Sequence, residues 1–194
     1  MGIMRTLYRE VRLILGFSAP PETDTQIAER IAGEVKGDIG GKKSASGEDW
    51  VLDAKFQGRE TKILFDGAGR RVVIQIQSTL EGGPLFVIVA GNAERETPDG
   101  ETRKPVTSGL NAQGPARDVE VMLDLWKALP TGARGNLSSL LAKHRAEFRY
   151  EDGLVRFDPE AQQLDGPSAK YNVKSLLQTL YNLTLEMEKA WADL

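Results

Sequence analysis

The sequence predicts an α+β domain, with an antiparallel four-stranded meander and a C-terminal hairpin packed against helices, the last of them long. Three observations predict it. Between Asp49 and Ala90 apolar residues alternate with polar ones at the two-residue period of strands. Before and after that stretch, apolar residues recur at the three- and four-residue spacing of helices. Short glycine-bearing links of hairpin length join the strand-like runs, where a parallel sheet would need helical crossovers.

The elements follow in order. Ile3, Leu7, Val11 and Ile14 form an apolar stripe, with Arg5, Arg9 and Arg12 mostly away from it, so residues 1–19 read as a basic amphipathic helix. Such a helix packs on its own domain, docks in a partner's groove or lies on an anionic membrane surface; these seven residues are the partner- or membrane-binding candidates. Pro20-Pro21 ends the segment and opens a single domain over residues 20–194. A second helix is predicted from about Glu22 or Thr23 to Val35, with Thr23 or Asp24 as its cap. The run Gly37 to Ser44 has the composition of a phosphate loop, but Lys43 stands where Ser or Thr should follow the lysine and Lys36 where a glycine is required. It reads as a connector.

Trp50, Leu52, Ala54 and Phe56 share one face of a first strand; Thr61, Ile63 and Phe65 mark a second; Val72, Ile74 and Ile76 mark a third. The fourth, Leu85 to Val89, is apolar on both faces and needs cover on both; burial as a central strand under the protein's own helices is favoured over a dimer interface. Residues 91–115 read as a long loop, in which Arg95, Arg103 and Lys104 are candidates for contacting an acidic ligand or partner. Val119 to Leu129 and Leu137 to His144 read as two helices separated by Pro130-Thr131-Gly132. Asp152-Gly153 between Phe148, Tyr150, Val155 and Phe157 predicts a tight hairpin. The closing helix follows Gly166-Pro167, with Val173, Leu176, Leu177, Leu180, Leu183, Met187 and Trp191 as its stripe. Trp50, Trp126 and Trp191 fall in phase with their local apolar faces and are assigned to core packing.

Composition narrows the chemistry. The chain has no cysteine and one histidine, which excludes thiol nucleophiles, disulfides, cysteine-based zinc or iron-sulfur sites and multi-histidine metal centres. No metal site and no cofactor is expected. His144 lies near a helix C-terminus, where the dipole would favour its protonated form. A net charge of -3 opposes non-specific attraction to phosphate backbones, so nucleic acid is not an expected partner. No run of the sequence has the length and apolarity of a transmembrane helix, and the absence of both thiols and a clean signal segment favours the cytoplasm, with membrane association through the N-terminal helix as an alternative. An enzyme or small-ligand binder using Asp118, Glu120 and Asp124 remains open; those acids equally make a solvated helix face.

From about Glu22 to Leu194 the order of elements, together with the segment Phe148 to Phe157 followed by a long helix, resembles the α/β sandwich of bacterial type III secretion chaperones and their non-secretion relatives. In that family a helix, three strands, a helix, two strands and a final helix form an often dimeric unit. The chain departs from it in its extra N-terminal helix, its fourth meander strand and the long loop before Val119. The resemblance implies a non-enzymatic, chaperone-like adaptor that binds another protein and self-associates. It transfers no individual residue.

Overall fold

A computed structural model describes residues 22–47, 49–68, 70–80, 84–90, 100–160 and 169–194. The domain is α+β. In chain order it contains α1 (Asp24–Ile39), β1 (Lys42–Ser46), β2 (Asp49–Phe56), β3 (Arg59–Asp66), β4 (Arg71–Gln77), β5 (Phe86–Ala90), β6 (Glu101–Thr107), β7 (Leu110–Pro115), α2 (Ala116–Ala128), α3 (Thr131–His144), β8 (Glu147–Glu151), β9 (Leu154–Asp158) and α4 (Ala169–Ala192). The strands make one antiparallel sheet in the order β1-β2-β3-β4-β9-β8-β5-β7-β6.

α1 starts as the sequence predicts. The Thr23 hydroxyl accepts from the Gln26 amide at 3.3 Å and the Gln26 side chain accepts from the Thr23 amide at 2.9 Å, a reciprocal cap that satisfies two donors of the first turn. The helix runs on to Ile39 and stops at Gly40, whose φ of 75° breaks the helical path. Lys42 to Ser46 then pairs with β2 as an edge strand, where the sequence suggested a connector. The four-stranded meander is therefore β1 to β4. The strand at Phe86–Ala90 leaves it and pairs with β8 and β7.

Residues 101–115, expected to lie in the long loop, form a hairpin instead. β6 pairs with β7 through a turn at Ser108-Gly109, and Leu110 and Ala112 enter the core between half-exposed Asn111 and Gln113. The β8–β9 hairpin is as predicted, with Asp152 and Gly153 at φ of 50° and 75°, the paired positive values of a type I′ turn.

One hydrophobic cluster joins the four described helices to one face of the sheet. Ile31 and Val35, Met122 and Leu125, Leu137 and Leu141, and Leu177 and Leu180 meet Leu52, Phe65, Ile74, Phe86, Phe148 and Phe157. Trp126 is buried, and Trp50 and Trp191 pack partly buried against the same cluster. Val73 and Val89, although buried, stand outside it, because they point to the opposite face.

The outer strands differ from the inner ones. β1 carries Lys42 and Lys43, and β6 carries Pro105 with a register irregularity between Pro105 and Thr107. The entry to β1 is tight: a β-carbon on Gly41, at φ of 100°, would meet the Asp53 carbonyl oxygen and stand 2.8 Å from the Ala54 β-carbon. Gly41→Ala is expected to cost roughly 1–3 kcal/mol through strain and displacement of β1. The check is a lowered urea midpoint; an unchanged midpoint would show that β1 yields freely.

Candidate functional site

Strand alternation and register determine what the sheet carries on the face away from the four described helices. Lys42 lies opposite Asp53, Asp53 opposite Lys62, Lys62 opposite Gln75, and Gln75 opposite Arg156. Arg156 lies opposite Arg149, Arg149 opposite Val87, Val87 opposite Gln113, and Gln113 opposite Arg103. A single cross-strand row thus runs over all nine strands with five cations and one carboxylate.

Directly opposed like charges destabilise a strand pair, so the Arg149–Arg156 juxtaposition requires compensation. Arg156 binds Asp158 at 2.7 Å, and Asp158 also accepts from Arg71 at 3.1 Å. Arg71 in turn reaches Asp66 at 2.7 Å. Arg149 is held more loosely, 3.7 Å from Glu147 and 3.8 Å from Glu151. Glu147, Arg149, Arg156 and Asp158 surround a shallow depression of about 180 Å³. A second depression, of about 260 Å³, shares Arg156 and is lined by Val51, Leu64 and Val73 together with Ser46, Lys62 and Gln75. The arrangement offers apolar contact beside fixed charges of both signs. It offers no nucleophile paired with a base.

A separate polar cluster lies at one end of the helical layer. Glu188 of α4 accepts from Arg59 at 2.7 and 2.5 Å, from the Ser78 hydroxyl at 2.9 Å and from the Thr79 amide at 2.7 Å. Burial pushes its carboxyl up, but the hydrogen bonds from Arg59, Thr79 and Ser78 outweigh burial and hold it below the usual range. Tyr181 stands edge-on to Phe56 with centroids 5.7 Å apart, and Gln57 donates to Gln178 at 2.8 Å. These contacts fasten α4 to the β2–β3 turn and to the segment that follows β4, a structural task.

The candidates from the sequence distribute as follows. Ile3, Leu7, Val11, Ile14, Arg5, Arg9, Arg12 and Arg95 lie outside the described residues. Arg103 and Lys104 belong to β6, not to a loop, and face opposite sides: Arg103 joins the cross-strand row, while Lys104 pairs with Glu120 of α2. Asp124 pairs with Lys127 at 2.8 Å, so two of the three α2 carboxylates are in surface ion pairs. His144 packs edge-on against Phe157, 6.0 Å between ring centroids. Burial, with a smaller contribution from Lys143, pushes its imidazole below the ordinary value, a shift toward the neutral form and opposite to the one expected from the helix C-terminus.

Among the described residues no group of three or more His, Asp or Glu side chains is arranged to hold a metal ion, and no helix is long and apolar enough to cross a membrane. The residues that sequence reasoning missed, Lys62, Arg149 and Arg156, sit in strands where an exposed cation is unremarkable. Only the register aligns them. No protein-family model, curated protein or solved structure matches the chain.

Proposed function

We propose that this chain is a non-enzymatic adaptor, chaperone-like in build, that holds another polypeptide on the sheet face away from its four described helices. The observation that carries this reading is the one-sided cover. All four described helices pack on one face, while half-buried Val51, Leu64 and Val87 and exposed Leu154 lie on the other among ion-paired side chains. Apolar positions rimmed by charge are the composition of an association surface. The chaperone-like resemblance of the sequence leads to the same reading, while β1, β5, β6 and β7 are strands outside that family's order of elements. A surface with both charge signs also suits self-association, since a two-fold interface must complement itself.

The cysteine-free chain makes the test clean. Leu154→Cys on that face and Ala142→Cys on exposed α3, each carrying a thiol-linked photo-crosslinker, would be irradiated in the native cell extract. Adducts from position 154 that are absent from position 142, and that unlabelled protein competes away, are expected. A doubled mass would identify a second copy as the occupant. Equal adducts from both positions, or none, would overturn the reading.

A further inference from the structure

We propose that residues 1–19 of this same chain dock on the sheet face away from the four described helices, with the stripe of Ile3, Leu7, Val11 and Ile14 over Val51, Leu64 and Val73. The segment lies outside the described residues, and its amphipathic helical pattern is read from the sequence. Docked there, it covers β2 to β4 from within the chain, and another polypeptide reaches those strands only by displacing it. That displacement rests on the partner-binding reading; the docking does not.

The strand registers supply the seat. Val51 lies opposite Leu64, and Leu64 opposite Val73, so three branched aliphatic side chains form one row across β2, β3 and β4. An antiparallel sheet with one wet face carries polar residues at its outward positions. Here Val73 is only 3% exposed and Val51 and Leu64 are half-buried, while the four described helices all pack on the other side. The depression lined by these three side chains would receive the stripe.

The described chain begins at the right place. Asp24, the first residue of α1, binds Arg70 at 2.6 Å, and Arg70 stands in the turn between β3 and β4. Asp66 and Arg71, at the two ends of that turn, are paired with each other, and Leu64 and Val73 follow two residues in on the same face. The chain therefore enters α1 beside the end of the sheet, where its two faces meet. A helix from Ile3 to Leu15 would be about 20 Å long, enough to lie across roughly four strands. Gly16 to Pro21 reach about 20 Å when extended, and Pro20-Pro21 favour that extension, so the link can round the sheet end.

The tether selects this segment over a second copy. A short link holds the stripe near the row at an effective concentration on the order of millimolar, far above that of a separate chain. Apolar contact carries the docking, since both charge signs are represented around the row. Asp49 and Asp53 flank Val51 along β2 and would meet Arg5, Arg9 or Arg12 at the rim of the helix.

A disulfide in the cysteine-free chain would report the docking. Leu7→Cys with Leu64→Cys is expected to close under mild oxidation at least about tenfold faster than Leu7→Cys with Ala142→Cys, and at a rate independent of protein concentration. Leu7→Cys with Val51→Cys repeats the measurement without altering β3. In a chain carrying Leu64→Cys alone, adding Leu7→Asp and Val11→Asp should speed alkylation of the thiol at position 64 about threefold or more. Equal closure of the near and far pairs, closure only between two chains, or alkylation indifferent to the aspartates would overturn the docking. Closure without extract adducts from position 154 would instead count against the partner-binding reading alone and leave the segment as a fixed cover. Where adducts do form, the disulfide-locked chain should give at least about threefold fewer, and equal yields would remove the displacement.

Discussion

Replacing Phe157 by alanine should lower the free energy of unfolding by about 3–5 kcal/mol, the cost of removing a buried aromatic side chain and leaving its cavity. Phe157 is fully buried and pairs with Ile74 on β4 and with Phe148 on β8. β9 is the strand through which β1–β4 are joined to the remainder of the sheet. The loss therefore falls where the two parts of the sheet meet and cannot be confined to an edge. Urea unfolding would measure it, with Phe157→Leu, a smaller change in volume, expected to cost less than half as much. The His144 ring loses its neighbour in the alanine variant, so its proton resonance should titrate closer to the ordinary value. A loss below about 1 kcal/mol would mean that the junction does not depend on this packing.

Glu188→Ala is expected to cost roughly 2–4 kcal/mol, because it leaves the Arg59 guanidinium, the Ser78 hydroxyl and the Thr79 amide without their common acceptor. The Arg59 and Glu188 side chains are only 14% and 12% exposed, so water replaces the lost contacts poorly. Glu188→Gln, which keeps the shape and removes the charge, should lose less. The acid dependence has a definite sign. A carboxyl held below its ordinary value in the folded state contributes fully above the unfolded value of about 4.5, and that contribution disappears as pH falls through the lower folded value. The wild-type protein should therefore lose stability on acidification below about pH 4.5 more steeply than Glu188→Gln. Parallel acid limbs for the two proteins would show that Glu188 carries no such linkage.

The parts of this structure that sequence reasoning recovers are those whose determinants are close in the chain. Thr23 and Gln26 cap α1 within one turn, Asp152-Gly153 adopts the two positive φ values its hairpin requires, and the stripe from Val173 to Met187 is the buried face of α4. β1 escaped because Lys42-Lys43-Ser44-Ala45-Ser46 has no apolar alternation; an edge strand is held by backbone hydrogen bonds to one neighbour and buries little. β6 and β7 escaped for a related reason, since their inward positions include small Ala112 and Gly114, and the latter packs against the Leu85 backbone. The partners of β5 were not legible at all, since β7 and β8 lie far along the chain. The cation row depends on eight separate strand registers, and a slip of one residue in any of them would turn part of it into the core.

The two outer strands also bear on how the sheet meets other chains at its edges. An uncovered strand edge is a template on which further strands add, and sheets grow into fibrils along that direction. Here growth past β1 would set two lysines against each incoming chain, and growth past β6 would meet a proline that cannot donate and a backbone out of regular spacing. Strand addition by any other chain is disfavoured at these two edges for the same reason as fibril growth.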